Sequence, residues 1–438
     1  MGVPTVSRSR QVSCETPGLV PGAAGLMVAG FLTTFLSPLL AVSFATSFGF
    51  GIEQAGLMVS GGQAGVAVGA FGSLPLLDRL NRRLAGICSV LVVAACLVAT
   101  GFADTFGTVL IFQIISGVAA GVAYAAANSA LAYARQPERA FSIVTVSWML
   151  VGAATLALGP TMQETWPKAG LYIGIAAAEL LCLVFIVRLP DVRHLPKDEL
   201  GPEELEAELE SLDIRRPVVE ERPSRLTRLI YPPSLLVLAM LVMNIGNLMI
   251  WTFAQKMGEH TGMSAQATSA FLGTSQLIGL VGAGITFAIG TRVGKLVLLI
   301  PTVIALAVGN LLVGIASNPT LFIIGFLTVN ISYFCMTPLL LTLAAELDTH
   351  AGRLVVIVGG VSLVAGAIAP ALGAFIAGQD RSWPRLGVTA LCLGLLAIPL
   401  LIHPVRSAVK RAELEAALDD AAQISEPDHS RYPRGETT

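Results

Sequence analysis

The chain has 438 residues and a formal net charge of −2; 54% of its residues are hydrophobic against 13% charged, and 44 are glycine. That balance is too apolar for a soluble domain of this length, and the scattered basic residues build no field that would recruit nucleic acid. The composition is that of a chain embedded in a bilayer. Cys88, Cys96, Cys182, Cys335 and Cys392 lie in apolar runs without metal-ligand spacing and Cys14 stands in a polar tail, so the sequence implies no disulfide framework, no metal and no cofactor.

In chain order, residues 1–19 form a polar tail whose "MGVPTVSRSRQVSCETPG" lacks the adjacent charged and apolar regions of a cleaved signal, so the first apolar run is expected to be a retained span. Apolar runs of bilayer-crossing length follow at 20–48, 53–76, 84–103, 106–133, 141–163 and 168–189, an N-terminal six-helix half over 20–189. Residues 190–231 are polar, acidic and then basic, with Leu205, Leu209 and Leu212 at helical spacing, which predicts a central loop holding a short amphipathic helix. Six more runs, at 232–256, 265–290, 293–315, 319–345, 354–378 and 385–403, make a C-terminal half over 232–404. Residues 405–438 are expected to be a tail, partly disordered where periodicity fades in "ISEPDHSRYPRGETT". The reading is therefore an all-α membrane protein of twelve transmembrane helices.

An even number of spans puts both tails on one side. That side collects all but four of the 27 Lys and Arg residues, the exceptions being Lys168, Lys256, Arg381 and Arg385. Because cytoplasmic loops retain positive charge during insertion, the bias predicts cytoplasmic termini and a cell-membrane location.

The halves read as a diverged repeat. Asp78, Arg79, Leu80, Asn81, Arg82 and Arg83 follow the second run, and Thr291, Arg292, Val293, Gly294 and Lys295 follow the eighth. The fifth run carries Gly152, Gly159 and Pro160, and the eleventh Gly359, Gly360, Gly366, Pro370 and Gly373; Gly159, Pro160 and Pro370 are the expected points of helix bending.

With twelve runs, a long central loop and this charged turn, residues 20–404 resemble the major facilitator superfamily, two pseudo-symmetric six-helix halves. Its loop pattern G-x-x-x-D-R-x-G-R-R is matched by Asp78, Arg79, Arg82 and Arg83, with Leu74 and Asn81 in place of the glycines. Asn81 is expected to keep the turn in a left-handed conformation. The resemblance implies that this loop, with Arg292, latches and releases the halves during alternating access; the arginines also enforce topology. It further implies a secondary transporter, not an enzyme, acting as a monomer on a small-molecule substrate, with or without protons. The fifth-run motif of drug/proton antiporters is matched only at Gly159 and Pro160, with Thr155, Gln163 and Glu164 where glycines belong. That points toward proton-coupled efflux, with an uptake permease or a non-transporting sensor or scaffold as alternatives. Gln113 stands where many proton-coupled members carry arginine, and the first run has no acid, which disfavours the aromatic-acid symporters.

Polar stripes mark the runs that line the cavity in that superfamily. Gln113, Tyr124 and Asn128 share a face on the fourth with Gly117 and Gly121; Asn244, Asn247, Trp251 and Gln255 do so on the seventh, Asn330, Tyr333 and Thr337 on the tenth, and Thr33 and Ser37 on the first. Amides in hydrocarbon need partners, either a wet cavity or a neighbouring helix, and both readings stay open for a single residue. Trp148, Gln63 and Gln276 are further candidates. With no fixed cation or acid among them, a neutral or amphipathic organic solute fits better than an anion. The one carboxylate well inside a run is Glu179, a candidate proton carrier on a run peripheral in the family; Glu53 and Glu346 sit at boundaries. No DDxxD, HExxH or GxSxG occurs, and His194, His260, His350, His403 and His429 lie outside the runs or at their ends, so catalysis has no support.

Overall fold

The computed structural model describes residues 18–76, 81–131, 134, 137–190, 231–289, 295–347 and 353–425. Residues 1–17 of the N-terminal tail, 191–230 of the central loop and 426–438, with Asp78, Arg79 and Arg292, lie outside them. All regular structure among the described residues is helical. The first half comprises α1 (Leu19–Phe35), α2 (Ser37–Thr46), α3 (Ile52–Ser73), α4 (Arg82–Phe102), α5 (Phe106–Leu131), α6 (Pro137–Thr165) and α7 (Gly170–Ile186). The second comprises α8 (Pro232–His260), α9 (Ala265–Ile289), α10 (Lys295–Gly314), α11 (Pro319–Leu347), α12 (Arg353–Ala377) and α13 (Trp383–Ser425). Ten of these helices are long and apolar enough to cross a bilayer, and the bent pair α1–α2 makes an eleventh span. The 17-residue α7 is also apolar, with a reach of about 25 Å at 1.5 Å per residue, and completes the sequence-derived twelve.

Two departures from the sequence reading have local causes. The first span is two helices meeting at 47°. Pro38 has no N–H to give the Thr34 carbonyl, so the ladder breaks there, and the Ser37 hydroxyl donates to that orphaned oxygen at 2.5 Å. The last helix does not stop near residue 403 but continues to Ser425, 43 residues in all. "RSAVKRAELEAALDDAAQ" is almost wholly strong helix formers, and the chain enters it already helical, so no new nucleus is needed.

Packing repeats between the halves. In the first, α3 lies against α5, α4 against α5 and α7, and α1 against α6 and α7; in the second, α9 lies against α11, α10 against α11 and α13, and α8 against α12 and α13. Glycine permits the same close approach in both: a Cβ at Gly117 would collide with the carbonyl oxygen of Gly62, and one at Gly282 with that of Ile331. The halves meet through α3 with α12 and α6 with α9, which exchange under the pseudo-twofold.

One face of the bundle carries the start of α1 and is called the near side; the opposite is the far side. Three of the four basic residues assigned to the far side are neutralised locally: Lys168 pairs with Asp104, Lys256 with Glu259 at 2.9 Å and Arg385 with Asp380 at 3.2 Å. Toward that side the halves are joined. The Ala371 N–H donates to the Ser60 hydroxyl at 2.9 Å, Gln266 donates to the Ala157 carbonyl at 2.6 Å, and Thr161 reaches Gln266 at 3.4 Å.

Candidate functional site: a cavity between the halves

Midway through the bundle, where α1, α6, α8, α9 and α11 converge, is a cavity of about 170 Å³. Phe31, Thr34, Phe35 and Trp148 line it from the first half, and Asn247, Trp251, Gln276, Phe326, Asn330, Tyr333 and Phe334 from the second. A second lobe of about 60 Å³ shares Phe31, Thr34, Trp251 and Tyr333 and extends past Ser37, Gln63 and Ser362 to Pro370. No carboxylate, ammonium, guanidinium or imidazole is among the lining residues of either lobe.

Its most continuous feature is a ladder of rings. Phe31 meets Trp148 with centroids 4.7 Å apart, Trp148 meets Phe35 at 5.5 Å, Phe35 meets Trp251 at 5.6 Å and Trp251 meets Phe326 at 6.0 Å, so the ladder crosses from one half to the other. These separations are those of favourable edge-to-face or tilted pairs. Beside it the break in the first span builds a polar ring: Thr34 donates to Gln63 Oε1 at 3.0 Å, and Gln63 Nε2 donates to Ser37 Oγ at 3.2 Å. Gln63 also lies against Gly366 of the other half, where a Cβ would stand 3.4 Å from its Oε1.

The stripe residues divide between this cavity and other places. Asn247, Trp251, Asn330, Tyr333 and Ser37 line it, as do Trp148, Gln63 and Gln276. Asn244 is buried just behind it and accepts a long bond from the Tyr333 hydroxyl, 3.4 Å. Tyr124 packs on Phe31 with centroids 6.1 Å apart, while Asn128 and Thr337 turn back to carbonyls of their own helices, Tyr124 and Tyr333, at 2.8 Å. Three placements correct the stripe reading. Thr33 and Gln113 line a separate space of about 20 Å³ among α1, α3 and α5, because the faces they share point into the first half and not across it. Gln255 is consumed by local bonds to Glu259, the Ala265 carbonyl and Ser269, at 2.9 to 3.0 Å, and binds α8 to the start of α9.

Phe31, Thr34, Phe35 and Ser362 were not read from the sequence. Ranking faces by polar residues alone passes over aromatic rings, and the available signal was Pro38, which marks the 47° bend of the first span next to these residues.

The loop residues that are described have plain structural roles. Asn81 is not left-handed: at φ −70° it caps α4, accepting the Leu84 N–H at 3.1 Å, which is what asparagine does best at a helix start. Arg82 is 3% exposed and its Nε donates to Ser129 at 3.0 Å, whereas Arg83 is exposed. Of the bending candidates, Pro160 and Pro370 lie inside α6 and α12, and Gly159 gives room to Leu39. Glu179 is fully buried on α7, away from the cavity, and neither carboxylate oxygen has a hydrogen-bond partner among the described residues.

A sequence model of the Major Facilitator Superfamily matches residues 22–355. The chain belongs to the major facilitator superfamily. Among relatives, it is 23% identical over 349 residues to the uncharacterized MFS-type transporter YceJ of Bacillus subtilis (strain 168), covering 78% of this chain and 84% of that protein. Its fold is similar to that of the nucleoside transporter NupG, with a TM-score of 0.65, 12% identity and coverage of 87% of this chain and 98% of the other. It is likewise similar to a D-xylose-proton symporter, with a TM-score of 0.64, 14% identity and coverage of 88% and 98%. As a superfamily member it is a multi-pass membrane protein and a secondary transporter working by alternating access, not an enzyme.

Proposed function

We propose that the chain carries a small neutral or amphipathic organic solute across the plasma membrane, binding it in the cavity between the halves. The observation that carries this reading is the lining itself: rings, hydroxyls and amides from both halves, with no fixed charge to offset the desolvation of an ion. Both termini are assigned to the cytoplasm on the distribution of Lys and Arg, so the far side is extracellular and the structure is closed toward it. The Gly159–Pro160 pair favours efflux, with Glu179 as the candidate proton carrier.

Asp78, Arg79, Arg82, Arg83 and Arg292 are assigned to the cytoplasmic latch. Asp78→Asn should insert normally yet transport more slowly, and wild-type flux in vesicles would remove that role.

The binding test is thermal stabilisation of the purified protein across a library of uncharged, cationic and anionic solutes. Uncharged solutes should raise Tm in wild type and fail in Trp251→Ala, since a buried tryptophan at a site centre contributes about 2 kcal/mol or more, roughly 30-fold in affinity. Stabilisation confined to ions, or unaltered by Trp251→Ala, would refute the assignment.

A further inference from the structure

Rings line the cavity from both halves. The first half supplies rings: Phe31, Phe35 and Trp148 stand in one wall. The second half continues that wall with Trp251, adds the rings of Phe326, Tyr333 and Phe334, and supplies carboxamides, which are not equivalent. Asn244, Gln255 and Asn330 are held by protein partners, Asn330 by Ser275 at 3.1 Å. Asn247 on α8 and Gln276 on α9 both line the cavity, and neither side chain has a hydrogen-bond partner among the described residues. A half-buried carboxamide is satisfied by cavity water or by a ligand, and a ligand that displaces the water must replace its bonds.

Size and chemistry narrow what can do so. A cavity of about 150 Å³ lined by apolar side chains holds one benzene ring. The 170 Å³ lobe with its 60 Å³ extension therefore has room for one or two fused rings and little else. A carboxamide offers a donor and an acceptor side by side, so its matching partner is an edge bearing an acceptor next to a donor, met bidentately. We propose that the transported solute is a planar, uncharged molecule of one or two rings with adjacent donor and acceptor on one edge, such as a cyclic amide, packed against the rings of Trp148, Phe35 and Trp251 with its edge at Asn247 and Gln276. This rests on the assignment of the cavity as the solute site. The rings come from both halves and both of these carboxamides from the second, so a bound solute touches the two bodies that move in alternating access.

Four probes test it by equilibrium binding to the purified full-length protein: 2-quinolinone, a two-ring lactam; naphthalene, the same rings without the edge; N-methylquinolinium, a planar cation; and 2-naphthoate, a planar anion. The lactam should bind tightest. Asn247→Leu and Gln276→Leu should each weaken the lactam by about 5- to 30-fold and leave naphthalene unchanged, which also reports that the variants are folded. Trp148→Leu should weaken both neutral probes. Tighter binding of the cation, the anion or naphthalene, absence of lactam binding, or lactam binding indifferent to both amide substitutions overturns the proposal. The underlying assignment is judged separately by Trp251→Ala: if some other probe wins and is lost in that variant, the cavity stands and only the lactam chemistry falls, whereas binding unaffected by Trp251→Ala removes both.

Discussion

Gln63 shows what a single side chain does at the meeting of three helices. It closes a hydrogen-bonded ring with Thr34 and Ser37 of the broken first span, lines the smaller cavity lobe and touches Gly366 of the opposite half. Gln255 and Gln113 look no different in sequence, yet one is spent on local bonds and the other faces inward within one half. Amide identity is legible in a sequence; whether the amide meets a neighbour or a cavity depends on helix rotation, which side-chain spacing fixes only to within tens of degrees. Glu179 is the complementary case. An acid at bilayer depth is expensive to leave charged, and this one has no hydrogen-bond partner among the described residues and does not line the cavity between the halves. Glu179→Gln keeps the shape and removes the titrating group. Thermal stability should be retained, and on the proton-carrier assignment transport should lose its dependence on a pH gradient; unaltered pH dependence would return Glu179 to a packing role.

At the scale of elements, span positions were legible because only a continuous helix satisfies its backbone in hydrocarbon, so each run of about 20 apolar residues has one available structure. Helix ends and breaks were less so. A hydropathy run averages across Pro38, although the proline denies the Thr34 carbonyl its helical N–H partner and the first span bends 47° beside the cavity. Ser37 makes that bend tolerable by bonding the orphaned carbonyl. Pro38→Ala restores the missing N–H, so helix α1 should run on through Leu36 and carry Phe31, Thr34 and Phe35 out of their present facing. The expected result is an unchanged Tm, since Pro38 stands in the first turn of α2, where proline is tolerated, with solute affinity reduced roughly tenfold. A variant that binds as wild type would show that the bend does not shape the site.

Across the whole molecule, the repeat explains both the cavity and its seal. Helices α3 and α12 on one flank, α6 and α9 on the other, are the same contact made twice, and a rocking motion about the centre opens one end as it closes the other. Bonds of Ser60 with Ala371 and of Gln266 with Ala157 belong to the far-side closure and must break for the opposite state to form. The repeat was visible in the spacing of charged turns and glycine-proline pairs, but which ends were in contact was not, because both states of such a bundle use one sequence. The central claim is that a single cavity is exposed alternately to the two sides. The most direct measurement is labelling of Asn247→Cys, read at position 247 by peptide mass mapping, in a protein in sealed vesicles whose only other cysteines are Thr161→Cys and Gln266→Cys, by a membrane-impermeant maleimide applied from either side, with and without the disulfide between those two. Labelling should occur from both sides in the reduced protein, and the disulfide should abolish it from the far side alone. Far-side labelling that survives the disulfide, or no labelling from the near side, would contradict the account.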